Sequence, residues 1–244
     1  MTKPEKVALL AGAGDAIGAA VARRFAVGGY KVCIARREVE KSSALVEELT
    51  KLGADVRVYS VDIRNEEAVQ KFFAQVEETV GPIEVCLFNA GSNVNKPLLE
   101  TSQKLFFRAW ELACCAGFLV GREAAGYMLK RGRGTILFTG ATASLRGGSG
   151  YAAFAAAKFG LRAVAQAMAR ELGPKNVHVV HLIIDAGVDS PEIHRRLGMD
   201  PSAIPENKLV KTSSIAQTYW DLHQQTPDAW THELDLRPAA ERWG

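Results

Sequence analysis

Short, unbroken apolar runs alternate with longer stretches of helical spacing along this chain, and no other feature narrows its fold as far. Val7–Ala11 is the first run, followed by a helical stretch over 16–27 that Gly28 and Gly29 close. The unit repeats: a run at 31–35 with a helix over 39–52 ending at Gly53, then 56–61 with 66–80, then 85–89 with the long stretch Gln103–Arg131. It continues with 135–139 and Ala152–Leu172, and then with Val177–Ile184. A strand with one wet face alternates apolar and polar residues. An unbroken apolar strand is buried on both faces, as in a parallel sheet with helices above and below. The spacing therefore predicts one doubly wound α/β domain of Rossmann type over 1–244. A chain of 244 residues is long enough to bury such a core.

After the sixth run the pattern changes. Ser190-Pro191-Glu192 reads as a helix start, with Ser190 as N-cap and Pro191 at the first helical position, and Gly198 can end that helix. The stretch 199–207 reads as loop, 213–224 as a last helix and 230–236 as a closing strand. Loops at the C-terminal ends of parallel strands build the ligand crevice, so 188–212 is expected to form a lid over a small-molecule substrate.

Charge removes one class of partner. Lys and Arg number 30 against 27 Asp and Glu, a net +3 with no basic block, which argues against nucleic acid. The opening MTKPEKVALLAGAG has too short an apolar run for a leader peptide or a membrane span. Cys33 and Cys86 fall in expected buried strands, Cys114 and Cys115 are adjacent, and none has metal-ligand spacing. These features together suit a reduced cytoplasmic protein without a metal site.

Gly12, Gly14 and Gly18 lie in AGAGDAIG, directly after the first strand and opening the first helix. Glycine there permits a tight turn and lets backbone N–H groups approach a pyrophosphate at the positive end of a helix. The spacing Gly-x-Gly-x-x-x-Gly, enclosing Asp15 and Ile17, resembles that of the short-chain dehydrogenase/reductase family, except that the family's middle glycine is Ala16. Other landmarks follow in the family's order over roughly 5–190. Asp62-Ile63 stands where the family contacts adenine, and Phe88-Asn89-Ala90-Gly91 resembles its Asn-Asn-Ala-Gly turn. Val188 follows the sixth strand, at the start of the expected lid. At the end of the second strand, where Rossmann-type folds read the adenosine ribose, stand Arg36 and Arg37. Two guanidiniums suit a 2′-phosphate, so the resemblance implies NADP(H) in preference to NAD(H). The plainer alternative is a solvated loop in which they pair Glu38 and Glu40.

The segment TGATASLRGGSGYAAFAAAK, Thr139 to Lys158, has the length and terminal lysine of the family's active-site segment but not its chemistry. Phe154 stands at the tyrosine position, Ala141 at the serine position and Ala113 near the asparagine position. Lys158 alone survives, with ribose binding as the role it can keep. General acid catalysis typically supplies about 10²–10⁴-fold, so ordinary carbonyl reduction is disfavoured. Tyr151 is a candidate stand-in for the proton donor, against packing at the helix mouth. Asp185 is another, because it would put a carboxylate near the nicotinamide pocket; its alternative is turn duty ahead of Gly187. Thr142 and Ser144 read as turn caps, and His181 as a packed histidine. A substrate that arrives protonated, such as an iminium, would need no acid.

The resemblance further implies pairing of the two long helices between subunits, as a homodimer or homotetramer, with Phe106, Phe107, Trp110 and Phe118 as apolar surface. Two function classes remain open. One is an NADP(H)-dependent oxidoreductase with a displaced or absent proton donor. The other is a catalytically silent cofactor-binding subunit, or scaffold partner, in a mixed oligomer with an active family member.

Overall fold

The computed structural model describes residues 6–198 and 200–241. The leading MTKPE and Met199, which belong to two of the expectations above, lie outside the described residues. Seven parallel strands form one sheet in the order β3-β2-β1-β4-β5-β6-β7. They are β1 (Val7–Ala11), β2 (Lys31–Arg36), β3 (Val56–Ser60), β4 (Ile83–Phe88), β5 (Gly134–Ala141), β6 (Val177–Ile184) and β7 (Glu233–Leu236). The five inner strands are buried along nearly all of their length, as expected, whereas the edge strands β3 and β7 are only partly buried and carry Arg57, Ser60, Glu233 and Asp235. Val7, Leu9 and Ala11 of β1 belong to the core on one face, and Ala8 and Leu10 to the core on the other.

The helices α1 (Ile17–Val27), α2 (Ser43–Lys51) and α8 (Thr212–His223) cover one face. Phe25, Leu49 and Tyr219 are the large buried side chains that anchor them. The other face carries α3 (Glu66–Thr79), α5 (Ala116–Arg131) and α6 (Ala152–Leu172) through Phe73, Val120 and Leu161. Side-chain caps start two helices as their sequences suggest: Asn65 accepts from the Ala68 N–H, and Ser102 from the Leu105 N–H of α4 (Gln103–Trp110).

Two expectations need correction. Gln103–Arg131 is not one regular helix, because Glu111–Cys115 between α4 and α5 winds as a π-helical segment. The stretch is long and apolar enough to cross a membrane, yet more than half of its most apolar part is buried in the fold. The closing strand is shorter than 230–236 and spans Glu233–Leu236. Residues 227–229 before it form a turn of 3₁₀ helix. The 188–212 stretch contains α7 (Pro191–Leu197), with Ser190 capping it by accepting from the Ile193 N–H. Val188 bridges Val210, which closes the neck of that excursion.

Candidate active site

The strand order reverses between β1 and β4, and at the C-terminal ends of the strands on either side of that point lies a long crevice. It has two connected parts of about 600 and 870 Å³, which share Ile17, Asn89, Ala90, Gly91, Val188 and Glu192.

The smaller part begins at the glycine turn. Gly12 has φ +76°, and a Cβ there would lie 2.6 Å from Ala90 Cβ, so both conformation and closeness require glycine. Gly14 has open space where a side chain would start, leaving its backbone bare toward the crevice. Gly18 does a different job from the one expected of it. It does not line the crevice; a Cβ there would lie 2.6 Å from Ala13 Cα, so it seats α1 against the turn. Ala16 has φ −97° and ψ −93°, outside the main regions open to a residue with a Cβ although its φ is negative. This backbone cradle fits the diphosphate of a dinucleotide.

Asp15, Ile17, Arg36, Arg37, Asp62, Ile63, Asn89, Ala90, Gly91 and Val188 all line the same part of the crevice. Arg36 donates to Asp15 Oδ1 (2.9 Å) and Ser42 Oγ (2.8 Å), which fixes its guanidinium at the crevice wall. Arg37 is exposed. Glu38 pairs with Lys41 rather than with either arginine. Asp62 is gripped by Arg64, and that hydrogen bond holds its carboxyl below the ordinary value.

The larger part ends at Lys158, which is 5% exposed. Its Nζ donates to the Thr139 carbonyl at 2.8 Å and would stand 3.4 Å from a Cβ on Gly91. Thr139 is itself fixed by a 2.7 Å hydrogen bond between its hydroxyl and that of Tyr219. Burial without a carboxylate partner lowers the Lys158 pKa from 10.5 to about 8. Phe154 and Ala141 line the crevice beside it, and Ala113 is fully buried in the π-helical segment.

The two expected stand-ins fare differently. Tyr151 lines the crevice, but its hydroxyl accepts a 2.5 Å hydrogen bond from Arg196 and so ties the mouth of α6 to α7. Asp185 requires correction. It does not line the crevice; it is 2% exposed and sits between Arg146 and Arg237. Burial pushes its carboxyl up, but the hydrogen bonds from Thr142 and Arg146 and the two guanidiniums outweigh this and hold it below its ordinary value. A carboxylate so held has no proton to give at neutral pH. Ser144 accepts from the Ala141 N–H, a turn role as expected. His181 is fully buried, donates from Nδ1 to the Glu233 carboxylate (3.1 Å), and packs under Gly140.

Sequence reasoning missed Arg146, Glu192 and Arg195, which also line the crevice. Arg146 was visible as the one charged residue of the glycine-rich segment after β5. Glu192 and Arg195 point in only because α7 packs where it does, which no local pattern reveals.

A family model described as short chain dehydrogenase matches residues 6–195. The 3-oxoacyl-[acyl-carrier-protein] reductase of Bos taurus is 31% identical over 175 residues, covering 72% of this chain and 73% of that protein. The crystal structure of a short-chain dehydrogenase from Rhodopseudomonas palustris is 48% identical with a TM-score of 0.83, covering 96% of this chain and 98% of that one. A metagenomic short-chain oxidoreductase in complex with NADP is 25% identical with a TM-score of 0.82, covering 98% and 99%.

Proposed function

This chain belongs to the short-chain dehydrogenase family of oxidoreductases, and from that premise we propose that it binds NADP(H) and transfers hydride to or from a small-molecule substrate, with Lys158 as its proton-carrying group. The observation that carries the reading is the continuous crevice from the Gly12–Gly14 turn to the buried ammonium of Lys158. In this reading Gly12, Gly14, Asp15 and Ile17 receive the diphosphate at the start of α1. Arg36 and Arg37 take the 2′-phosphate, Asp62 and Ile63 flank the adenine, and Asn89, Ala90, Gly91 and Val188 line the path to the nicotinamide. The lid over 188–212 belongs to the same domain and covers the substrate.

A bound nicotinamide cofactor supplies the hydride. Lys158 holds the nicotinamide ribose and, with no tyrosine at position 154, gives its own proton to the substrate oxygen during reduction and recovers it from water. Its lowered pKa suits the task, because an acid works best with a pKa near the operating pH. Reduction needs the ammonium form, so its rate is expected to fall as pH rises through about 8. Phe154, Ala141 and Ala113 favour a second reading, a silent cofactor-binding subunit that partners an active family member. The exposed Phe107, Trp110, Phe118 and Phe159 support a homodimer or homotetramer, or that mixed oligomer, and sedimentation of the purified chain distinguishes assembly from a monomer. The four free thiols suit a cytoplasmic setting.

The test is titration of the purified chain with NADPH and NADH, read by quenching of its four tryptophans. Tighter binding of NADPH, lost on Arg36→Asp with Arg37→Asp, is expected. No binding of either nucleotide overturns the redox reading. Binding without turnover of any carbonyl or imine, together with co-purification of a partner bearing an intact Tyr-x-x-x-Lys segment, would establish the silent one.

A further inference from the structure

We propose that the substrate carries a carboxylate, held in the larger part of the crevice by Arg146. The inference deepens the reading above and rests on it for the identity of the crevice as the substrate site. Three observations lead to it.

The first is a second cation on one buried carboxylate. Asp185 is 2% exposed, and Arg237 already neutralises it from β7's end of the sheet. A buried carboxylate needs one such partner to be tolerated. Arg146 is a second one, bound through a fork in which its two terminal nitrogens donate to Oδ2 and Oδ1, each at 3.1 Å. Arg237 also bonds the partly exposed Asp235, so the four charges of the cluster balance, and Arg146 is the one member of it that lines the crevice.

The second is orientation. A guanidinium has five N–H donors, and the fork to Asp185 uses two. The Arg146 side chain is 40% exposed and lines the crevice, where no described residue accepts from the remaining donors. Asp185 is fixed in turn by Thr142, by Arg237 and by its own N–H, which donates to the Leu236 carbonyl at 3.0 Å. Asp185 thus acts as a positioning residue that holds Arg146 with its free edge toward the crevice. A planar fork held in this way suits a carboxylate better than a lysine would, since it offers paired parallel donors without ordering a flexible chain.

The third is contrast. Around Arg146 the wall is small and neutral: Gly147, Gly148, Ala141 and Phe154. Lys158 adds a second positive charge deeper in. Glu192 is the one carboxylate among the described residues that line the larger part, and it sits at the junction with the smaller part, on α7. A mostly neutral pocket with one oriented cation selects by that cation. The substrate would extend from Lys158, at its reacting oxygen, to Arg146, at its acid group.

The experiment uses the full chain saturated with NADPH. Calorimetric titration compares 2-oxo and 3-oxo carboxylates of increasing chain length with their primary amides, which keep shape and lose charge. At least one acid is expected to bind tenfold or more tightly than its amide. Arg146→Gln should remove that preference while leaving NADPH quenching unchanged, and Arg146→Lys should restore part of it. Asp185 keeps Arg237 in both variants, so the fold has a route to tolerate them. Failure of every acid to exceed its amide overturns the proposal, as does a preference that survives in Arg146→Gln. A purely structural Arg146 would change thermal stability without touching that preference. NADPH binding, measured first, separates failure of the cofactor reading from failure of this one. If no nucleotide binds, the same acid and amide pairs are titrated into the nucleotide-free chain with the same criteria.

Discussion

The ammonium of Lys158 lies in a place that is 5% exposed, and the Thr139 carbonyl is the one acceptor it has among the described residues. Desolvation of that charge lowers its pKa to about 8 from 10.5. Below pH 8 both folded and unfolded chains hold the proton, and the full cost of burial is present. Between about 8 and 10.5 the folded chain releases it first, so stability rises with pH across that window. Lys158→Met is therefore expected to stabilise the nucleotide-free protein by about 1–3 kcal/mol at pH 7, with the gain shrinking toward pH 10. Urea denaturation at both pH values checks it; a loss at pH 7 would mean that the contact with Thr139 outweighs desolvation. At this scale the placement of Lys158, Phe154 and the glycine turn along the crevice was legible, because spacing along one element decides where each of them falls. Asp185 was misread. Its side chain is directed by Arg146 and Arg237, 39 and 52 residues away, and charge partners at such separation leave no local trace.

Two glycines of α5 give opposite expectations from the same substitution. A Cβ on Gly117 would lie 2.4 Å from Leu161 Cδ1 and 3.1 Å from Phe88 Cε1, both in fully buried side chains. Overpacking of this kind costs about 1–3 kcal/mol, partly offset by about 1 kcal/mol of helix propensity. Gly126 on the same helix is exposed and has open space at that position. Gly117→Ala is expected to lower stability by about 1–2 kcal/mol, and Gly126→Ala to raise it by about 1 kcal/mol. Matched denaturation curves read both, and the same sign for the pair would refute the close packing of α5 on α6. The strands and most helices could be read from the sequence because an apolar run buried on both faces has few other folds available. The π-helical segment at Glu111–Cys115 could not, since a helix accommodates an extra residue in response to what it packs against. Gly160 shows how tight that packing is: a Cβ there would lie 2.7 Å from Cys114 Sγ.

Across the whole molecule, burial keeps His181 and His223 neutral, with pKa values lowered to about 4, and it lowers His178 as well. The unfolded chain takes up protons at these groups near pH 6.5, so their contribution is present at neutral pH and is lost as pH falls from about 6.5 toward 4. His181 and His223 are each expected to cost about 2 kcal/mol by pH 4.5, and the paired carboxylates add their own loss below about pH 5. Denaturation at pH 7 and 4.5 measures this, and equal stability at both would mean that the histidines are solvated. The final strand has a wider consequence. Glu233 takes the Arg162 fork and the His181 ring, the Leu236 carbonyl takes the Asp185 N–H, and Arg237 holds Asp185 beneath Arg146. The wall proposed to hold the nucleotide is drawn largely from the first hundred residues, whereas the wall proposed to choose the substrate waits for residues 233–237. Synthesis runs from the N-terminus, so the molecule would acquire its fuel port before its selector. A chain still on the ribosome would complete the nucleotide's path with Lys158 and Val188 and would lack what discriminates the substrate until residues 233–237 had followed. Proteolysis of arrested nascent chains of increasing length tests this order, which requires protection to arrive in two steps, with the second only after Arg237 has emerged.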